Sequence, residues 1–247
     1  MSYEIIPLVL SRYVGEKGFM TYMLDYGKPI VRPFVMWYIK GLKQNILVDT
    51  AIEAADYRTY HPKFKNLDFD ALMSFEEALE SVNLSPDKID IVIQTHLHFD
   101  HCYNTRKCVN AKVLVQKDEL DFLRNPKPFE GLYRSELLEG LSVEAVAGDR
   151  LLFEGLHVLY TPGHTAGGQA VSVSTEKGKA VISGLCGIKE NFFPTSESPM
   201  AGDRLTILPG IMLNAVQAYH SLLRIKSVAD IILPLHDPGI MDIKKIP

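Results

Sequence analysis

The sequence predicts one domain of mixed helices and strands, and three observations carry that reading. The chain has 247 residues and 47% of them are hydrophobic, which suits the core of a large α/β domain. Most of its strong segments are short and β-rich, separated by Gly, Glu and Lys turns. A few stretches between them carry apolar residues at helical spacing instead. No internal repeat or low-complexity tract divides the chain, so residues 1–247 are read as a single domain.

In chain order, Ile5–Leu10, Phe34–Lys40 and Ile46–Val48 read as strands, the last closing on Asp49-Thr50. Leu72, Phe75, Leu79 and Val82 recur at helical spacing, with Asp68 or Asp70 as the N-cap. Ile89–Thr95 reads as a buried strand that delivers the chain to His96. Val113–Gln116 is a further strand, followed by a short helix from Lys117 to Arg124 that Pro126 and Pro128 end. Asn125–Val146 has little periodicity. Leu151–Phe153, Leu156–Thr161, Ala170–Ser174 and Ala180–Ser183 form a run of strands. Glu190–Gly210, with three prolines and two serines, reads as a long loop of the kind that often binds ligands. A helix around Met212–Ile225 presents Leu213, Val216, His220 and Leu223 on one side, with His220 as a packing residue. Ile231–Leu233 is a last strand, opening onto Pro234-Leu235-His236-Asp237.

A net charge of −4 gives no electrostatic footprint for nucleic acid. No apolar run approaches the roughly 18 to 20 residues of a membrane span, and the N-terminus lacks a signal-peptide pattern. A cytoplasmic location is the expectation. Cys102, Cys108 and Cys186 are an odd count and read as thiols in a reducing compartment.

The chemistry concentrates in Thr95-His96-Leu97-His98-Phe99-Asp100-His101. Alternate side chains on extended backbone point the same way, so His96 and His98 can meet one ion. Asp100 continues the alternation and His101 turns off it, which suits a second ion nearby. In Tyr160-Thr161-Pro162-Gly163-His164-Thr165, Pro and Gly force a tight turn that presents His164 as a third ligand beside His96 and His98. His236, again past an apolar strand, completes the second ion with Asp100 and His101. Imidazole with carboxylate favours zinc, then iron or manganese, over calcium or magnesium.

These motifs resemble those of the metallo-β-lactamase superfamily. Tyr22-Met23-Leu24-Asp25, Trp37-Tyr38, Ile46-Leu47-Val48-Asp49-Thr50 and Lys189-Glu190-Asn191-Phe192 are similar to its N-acyl homoserine lactonase branch. The resemblance implies an α+β four-layer αβ/βα sandwich with the site at one edge of two facing sheets. It also implies that Asp49 orients a ligand histidine. The chain departs from the pattern where the family carries a bridging Asp: here stands Ser183-Gly184-Leu185-Cys186. Cys186 is taken as the replacement ligand, with Asp203 as a more distant alternative. The lactonases' nearby Tyr is also missing, since no Tyr lies between Cys186 and Tyr219. Of the remaining residues, His61 and His157 read as surface and Cys102 as a packed thiol. Trp37, Phe99, Phe192, Phe193 and Met200 are candidate pocket walls.

The function expected is a dinuclear metal-dependent hydrolase of a small carboxyl ester, above all a lactone, by attack of metal-bound hydroxide. Two divalent ions are its cofactors, and Asp100 both binds metal and handles protons. No nucleic-acid or membrane partner is expected, and a homodimer is left open. The alternatives are a thioester hydrolase of the glyoxalase II kind, and an iron-binding redox or non-catalytic relative suggested by Cys186.

Overall fold

The computed structural model describes residues 2–60, 68–195 and 205–247. Among the described residues twelve strands collect into two mixed sheets. The first contains β1 (Glu4–Glu16), β2 (Pro29–Lys40), β3 (Ile46–Val48), β4 (Phe69–Ala71), β5 (Ile91–Ile93), β6 (Lys112–Gln116) and β7 (Ser142–Val146), in the order β4-β1-β2-β3-β5-β6-β7. Pairing is antiparallel from β4 to β3 and parallel from β3 to β7. The second contains β8 (Arg150–Phe153), β9 (Leu156–Tyr160), β10 (Gln169–Thr175), β11 (Gly178–Ile182) and β12 (Ile231–Leu233), in the order β12-β11-β10-β9-β8. Only its β11–β12 pair is parallel.

The inner faces of the two sheets share one apolar core. Trp37, Ile39, Val48, Ile93 and Leu114 from the first sheet meet Val158, Val171, Val173, Ile182 and Leu233 from the second. Met36 and Tyr38, one residue out of step with Trp37 and Ile39, face a separate core on the outer side. A strand buried on both faces gives a nearly continuous apolar run, which is why Phe34–Lys40 is so legible. Helices α1 (Ala54–Tyr60), α2 (Phe75–Glu80), α3 (Phe99–Cys102) and α4 (Lys117–Arg124) contribute to that outer core. On the far side of the second sheet, α5 (Lys189–Phe192) and α6 (Ala215–Val228) place Phe192, Leu222 and Ile225 against Ala170 and Val181. The result is the expected four-layer sandwich. Among the described residues no helix is long and apolar enough to cross a membrane.

Several sequence expectations need correction. α6 starts at Ala215, capped by Asn214, and buries Ala218, Ser221, Leu222 and Ile225. Val216 and His220 are exposed, so His220 is not a packing residue. Ser221 disguised the buried stripe; its hydroxyl is satisfied by the carbonyl of Pro162 at 2.7 Å. α2 is capped by Ser74 in a capping box with Glu77, not by Asp68 or Asp70. Asp70 lies in β4 and pairs with Arg12 at 2.7 Å. β4 and β7 were not anticipated; both are edges of the first sheet, where solvent on one flank relaxes the apolar pattern. β1 and β2 extend as an antiparallel ribbon well beyond the expected spans, through Tyr13 opposite Arg32, with Pro29 and Pro33 masking the strand.

One buried side chain ties the layers to the motif loops. Glu119 on α4 accepts the backbone N–H of Leu97 at 2.9 Å, that of Gly167 at 2.8 Å and the Tyr133 hydroxyl at 2.7 Å. The fit is tight, because a Cβ on Gly167 would lie 2.2 Å from the Glu119 nitrogen. Glu119→Ala strands three buried donors, at about 1–3 kcal/mol each before relaxation. We expect urea denaturation to show a net loss of about 2–4 kcal/mol, well above that of an exposed control such as Glu139→Ala.

Candidate metal centre

The motif is built at the end of the parallel half of the first sheet. β5 stops at Ile93, and His96 and His98 follow on the connecting segment. His98 is extended, with φ −64° and ψ 140°, and forms the N-cap of α3. The chain turns helical at Phe99, so the alternation expected to run through Asp100 stops at His98. Asp100 and His101 stand on the first turn of a helix instead. That change of backbone splits the motif between two groups of donors.

In the first group, His96, His98 and His164 bring one ligand atom each to within 4.8 Å of one another. All three side chains are buried. His164 is carried by the turn after β9, where Gly163 takes φ 127°. A Cβ there would sit 2.2 Å from the backbone nitrogen of Ala218, so only Gly lets α6 seat on this turn. The His164 Nδ1–H donates to the carbonyl of Ile211 at 2.8 Å, which turns Nε2 toward the cluster. Nε2 of His96 and Nε2 of His98 are buried without any hydrogen-bond partner.

The second group is Asp100, His101 and His236, under the same 4.8 Å criterion. The His101 Nδ1–H donates to Oδ2 of Asp49 at 2.9 Å, and the His236 Nδ1–H to the carbonyl of Pro33 at 3.2 Å. With those protons committed, the two Nε2 atoms face one another at 3.3 Å with lone pairs opposed. Asp49 is fully buried at φ 57°, and it also accepts the N–H and hydroxyl of Thr95 at 2.7 and 2.8 Å. It thus holds His101 and the start of the motif in one grip, in the orienting role the resemblance implied.

Burial pushes His96, His98 and His236 far below the usual imidazole range, and His164 down to about 4. Burial presses His101 the same way, but Asp100 and Asp49 outweigh it and leave His101 raised. Four imidazoles held unprotonated, a fifth tied through Nδ1 to Asp49, and one carboxylate make a donor set that suits divalent transition metals. The residues fit two such ions.

Six of the seven predicted ligands are therefore brought together, in two threes. Cys186 stands in neither group. It lines the same cavity, with Sγ 3.8 Å from Nη2 of Arg32, and burial raises its thiol to about 11. Leu185 turns into the core beneath α6. Asp203 lies outside the described residues, as do His61 and Met200.

The two groups open on a shared cavity of about 690 Å³. None of the four described wall candidates lines it. Trp37 fills the core between the sheets, Phe99 and Phe192 are buried in the outer cores, and Phe193 is half exposed beneath Lys226. The walls are instead Tyr13, Phe19, Tyr57, Phe129, Leu132 and the segment Gly210–Leu213. The end of the expected long loop thus reaches the cavity at Gly210. Cys102 is packed in the outer core, and His157 is half-buried on β9 and does not line the cavity. Sequence reading also missed Arg32, a cavity residue only 6% exposed. Its signal was available: it is the sole charge inside the long apolar stretch Pro29–Ile39.

Comparison with known proteins agrees with this geometry. A profile of the metallo-beta-lactamase superfamily matches residues 32–184, more than half of the chain. An N-acyl homoserine lactonase of Bacillus thuringiensis is 32% identical over 131 residues, 50% of this chain and 48% of that protein. The chain thus spans about half the length of the curated relatives it matches. A crystal structure of the B. thuringiensis protein AiiA with N-decanoyl-L-homoserine at its active site superposes with a TM-score of 0.79 and 23% identity. The match covers 98% of this chain and 96% of that one. An N-acyl homoserine lactone hydrolase with the product N-hexanoyl-L-homoserine at its catalytic metal center gives 0.78 and 24%, over 98% and 96% of the two chains. The profile match, on a four-layer sandwich with this histidine arrangement, shows that the chain belongs to the metallo-beta-lactamase superfamily.

Proposed function

We propose that this protein is a metal-dependent hydrolase of carboxyl esters, with a lactone as substrate and two zinc ions held by His96, His98 and His164 and by Asp100, His101 and His236. The observation that carries the reading is the pair of buried donor triads opening side by side on one largely apolar cavity. The N-acyl homoserine lactonases among its relatives support the ester class. Three free, buried thiols suit a cytoplasmic setting.

Divalent ions bound there supply Lewis acidity and make water ionisable near neutral pH. The protein's part is to hold donors rigidly and keep the site dry. Asp49, the Ile211 carbonyl and the Pro33 carbonyl each fix one imidazole through Nδ1, so that Nε2 is the donor. Tyr13, Tyr57, Leu132 and Ile211 exclude water around the reacting ester. Asp100, on the cavity wall beside His101, is placed to take the proton that the attacking water gives up and pass it to the leaving alkoxide. No serine nucleophile is needed.

We expect elemental analysis to find two ions per chain, and His98→Ala and Asp100→Ala each to lower that number and cut kcat/KM by at least about 100-fold. The reading is wrong if the metal-replete protein turns over no member of a panel of lactones, aryl esters and thioesters. Chelation should abolish activity and lower Tm, with both restored by zinc. The metal-free protein should also be acid-labile. Four of its histidines have folded pKa values below the ordinary 6.5, so the unfolded chain takes up more protons as pH falls. Their contribution to stability is complete above pH 6.5 and is lost progressively below it, the His164 share by about pH 4. His101 opposes this, one group against four. Thermal unfolding of the stripped protein at stepped pH checks the sign; a Tm that rose on acidification would refute it.

A further inference from the structure

Among the described residues Arg32 is the one buried cation in the cavity wall, and its surroundings leave it incomplete. It sits on β2 opposite Tyr13, and its neighbour Pro33 supplies the carbonyl that orients His236. Nη1 donates to the Tyr13 hydroxyl, and the guanidinium lies 5.2 Å from the Tyr13 ring centre. Nη2 reaches only the Cys186 sulfur, at 3.8 Å, a weak acceptor. Nε is buried with no hydrogen-bond partner.

Among the described residues no carboxylate stands within 4 Å of it. Asp100 is the carboxylate that bears on it electrostatically, and Asp100 belongs to the second donor triad. The two acceptors that do touch Arg32 are a phenol and a thiol, both neutral because burial raises their pKa. A guanidinium taken out of water without a counter-charge costs several kcal/mol. Two divalent ions beside it would add to the positive field. The atoms left open, Nε and Nη2, are the side-on edge on which a carboxylate seats with two parallel hydrogen bonds.

We propose that Arg32 is a substrate-binding residue that selects esters carrying a carboxylate of their own, held on its Nε–Nη2 edge while the scissile ester lies over the two donor triads. This deepens the hydrolase reading and rests on it for the ester, though not for the anion. A ligand carboxylate completes the charge and hydrogen bonding that the chain leaves open. It also accounts for a buried cation in a wall whose carboxylates, Glu16, Asp100 and Glu130, are not paired with it.

The test uses two matched pairs on the metal-loaded protein. One is γ-butyrolactone and its γ-carboxylate, followed by turnover. The other is their non-hydrolysed lactams, pyrrolidinone and pyroglutamate, followed by calorimetric titration. Wild type should favour the carboxylate member of each pair by at least about ten-fold. In Arg32→Gln the ratio of kcat/KM values, carboxylate over neutral, should fall by about ten-fold or more, and pyroglutamate should lose its advantage. Arg32→Lys, which keeps the charge without the fork, should recover part of it. A ratio unchanged in Arg32→Gln overturns the proposal, including the case where both lactones slow equally because Arg32 merely supports the fold or receives the product acid. Equal binding of the two lactams, or none of either, overturns it too. Lactone turnover without charge preference sinks this inference and spares the hydrolase reading. Arg32-dependent pyroglutamate binding without turnover of either lactone does the reverse.

Discussion

Everything in this structure answers to one electrostatic constraint: five imidazoles are packed out of water with their Nε2 atoms aimed at each other. His101 and His236 face one another at 3.3 Å, and Nε2 of His96 and His98 lack any partner. Such an arrangement is unfavourable in a bare protein, and the fold has to hold it against repulsion and against protonation. It does so by fixing Nδ1, through Asp49 for His101, Ile211 for His164 and Pro33 for His236. Each holding group lies on a segment distant in sequence from the histidine it fixes. The site therefore exists only when both sheets and their loops are in place.

The sandwich makes that convergence rigid. Asp49 follows β3, His96 follows β5, His164 follows β9 and His236 follows β12, so four strand ends deliver the pieces to one edge. Glu119 on α4 spans the first two motifs by accepting from Leu97 and Gly167. α6 presses on the Gly163 turn closely enough that no other residue fits there. Packing of this kind allows little relaxation, which suits a centre whose donors must keep their positions in the absence of solvent.

Much of this was legible from sequence where a single local rule dominates. Doubly buried strands such as Phe34–Lys40 announce themselves as apolar runs, and histidines beside strand ends announce a metal site. Legibility failed where the deciding force is not local. Edge strands β4 and β7 carry a weak pattern because half of each faces solvent. The buried face of α6 was hidden by Ser221, whose hydroxyl is satisfied by a turn nearly sixty residues away. The cavity walls were misjudged because large aromatics such as Trp37 and Phe192 are more useful to the core than to a surface.

The sequence by itself determined the reaction class to expect, since His96, His98, Asp100, His101, His164 and His236 have few other reasons to occur in that pattern. It also determined the sandwich, through strand lengths and the family resemblance that those motifs carry. The tertiary structure alone decided how the candidate ligands divide. The helix starting at Phe99 turns Asp100 away from His98, and groups remote in sequence, the Asp49 carboxylate and the Ile211 and Pro33 carbonyls, choose which nitrogen is free on His101, His164 and His236. Cys186 took its place by the same route: it stands beside the position where the family carries its Asp, and packing sets it against Arg32, outside both triads. Local spacing reports which donors are available, whereas the direction each one faces is set by contacts between segments far apart in the chain.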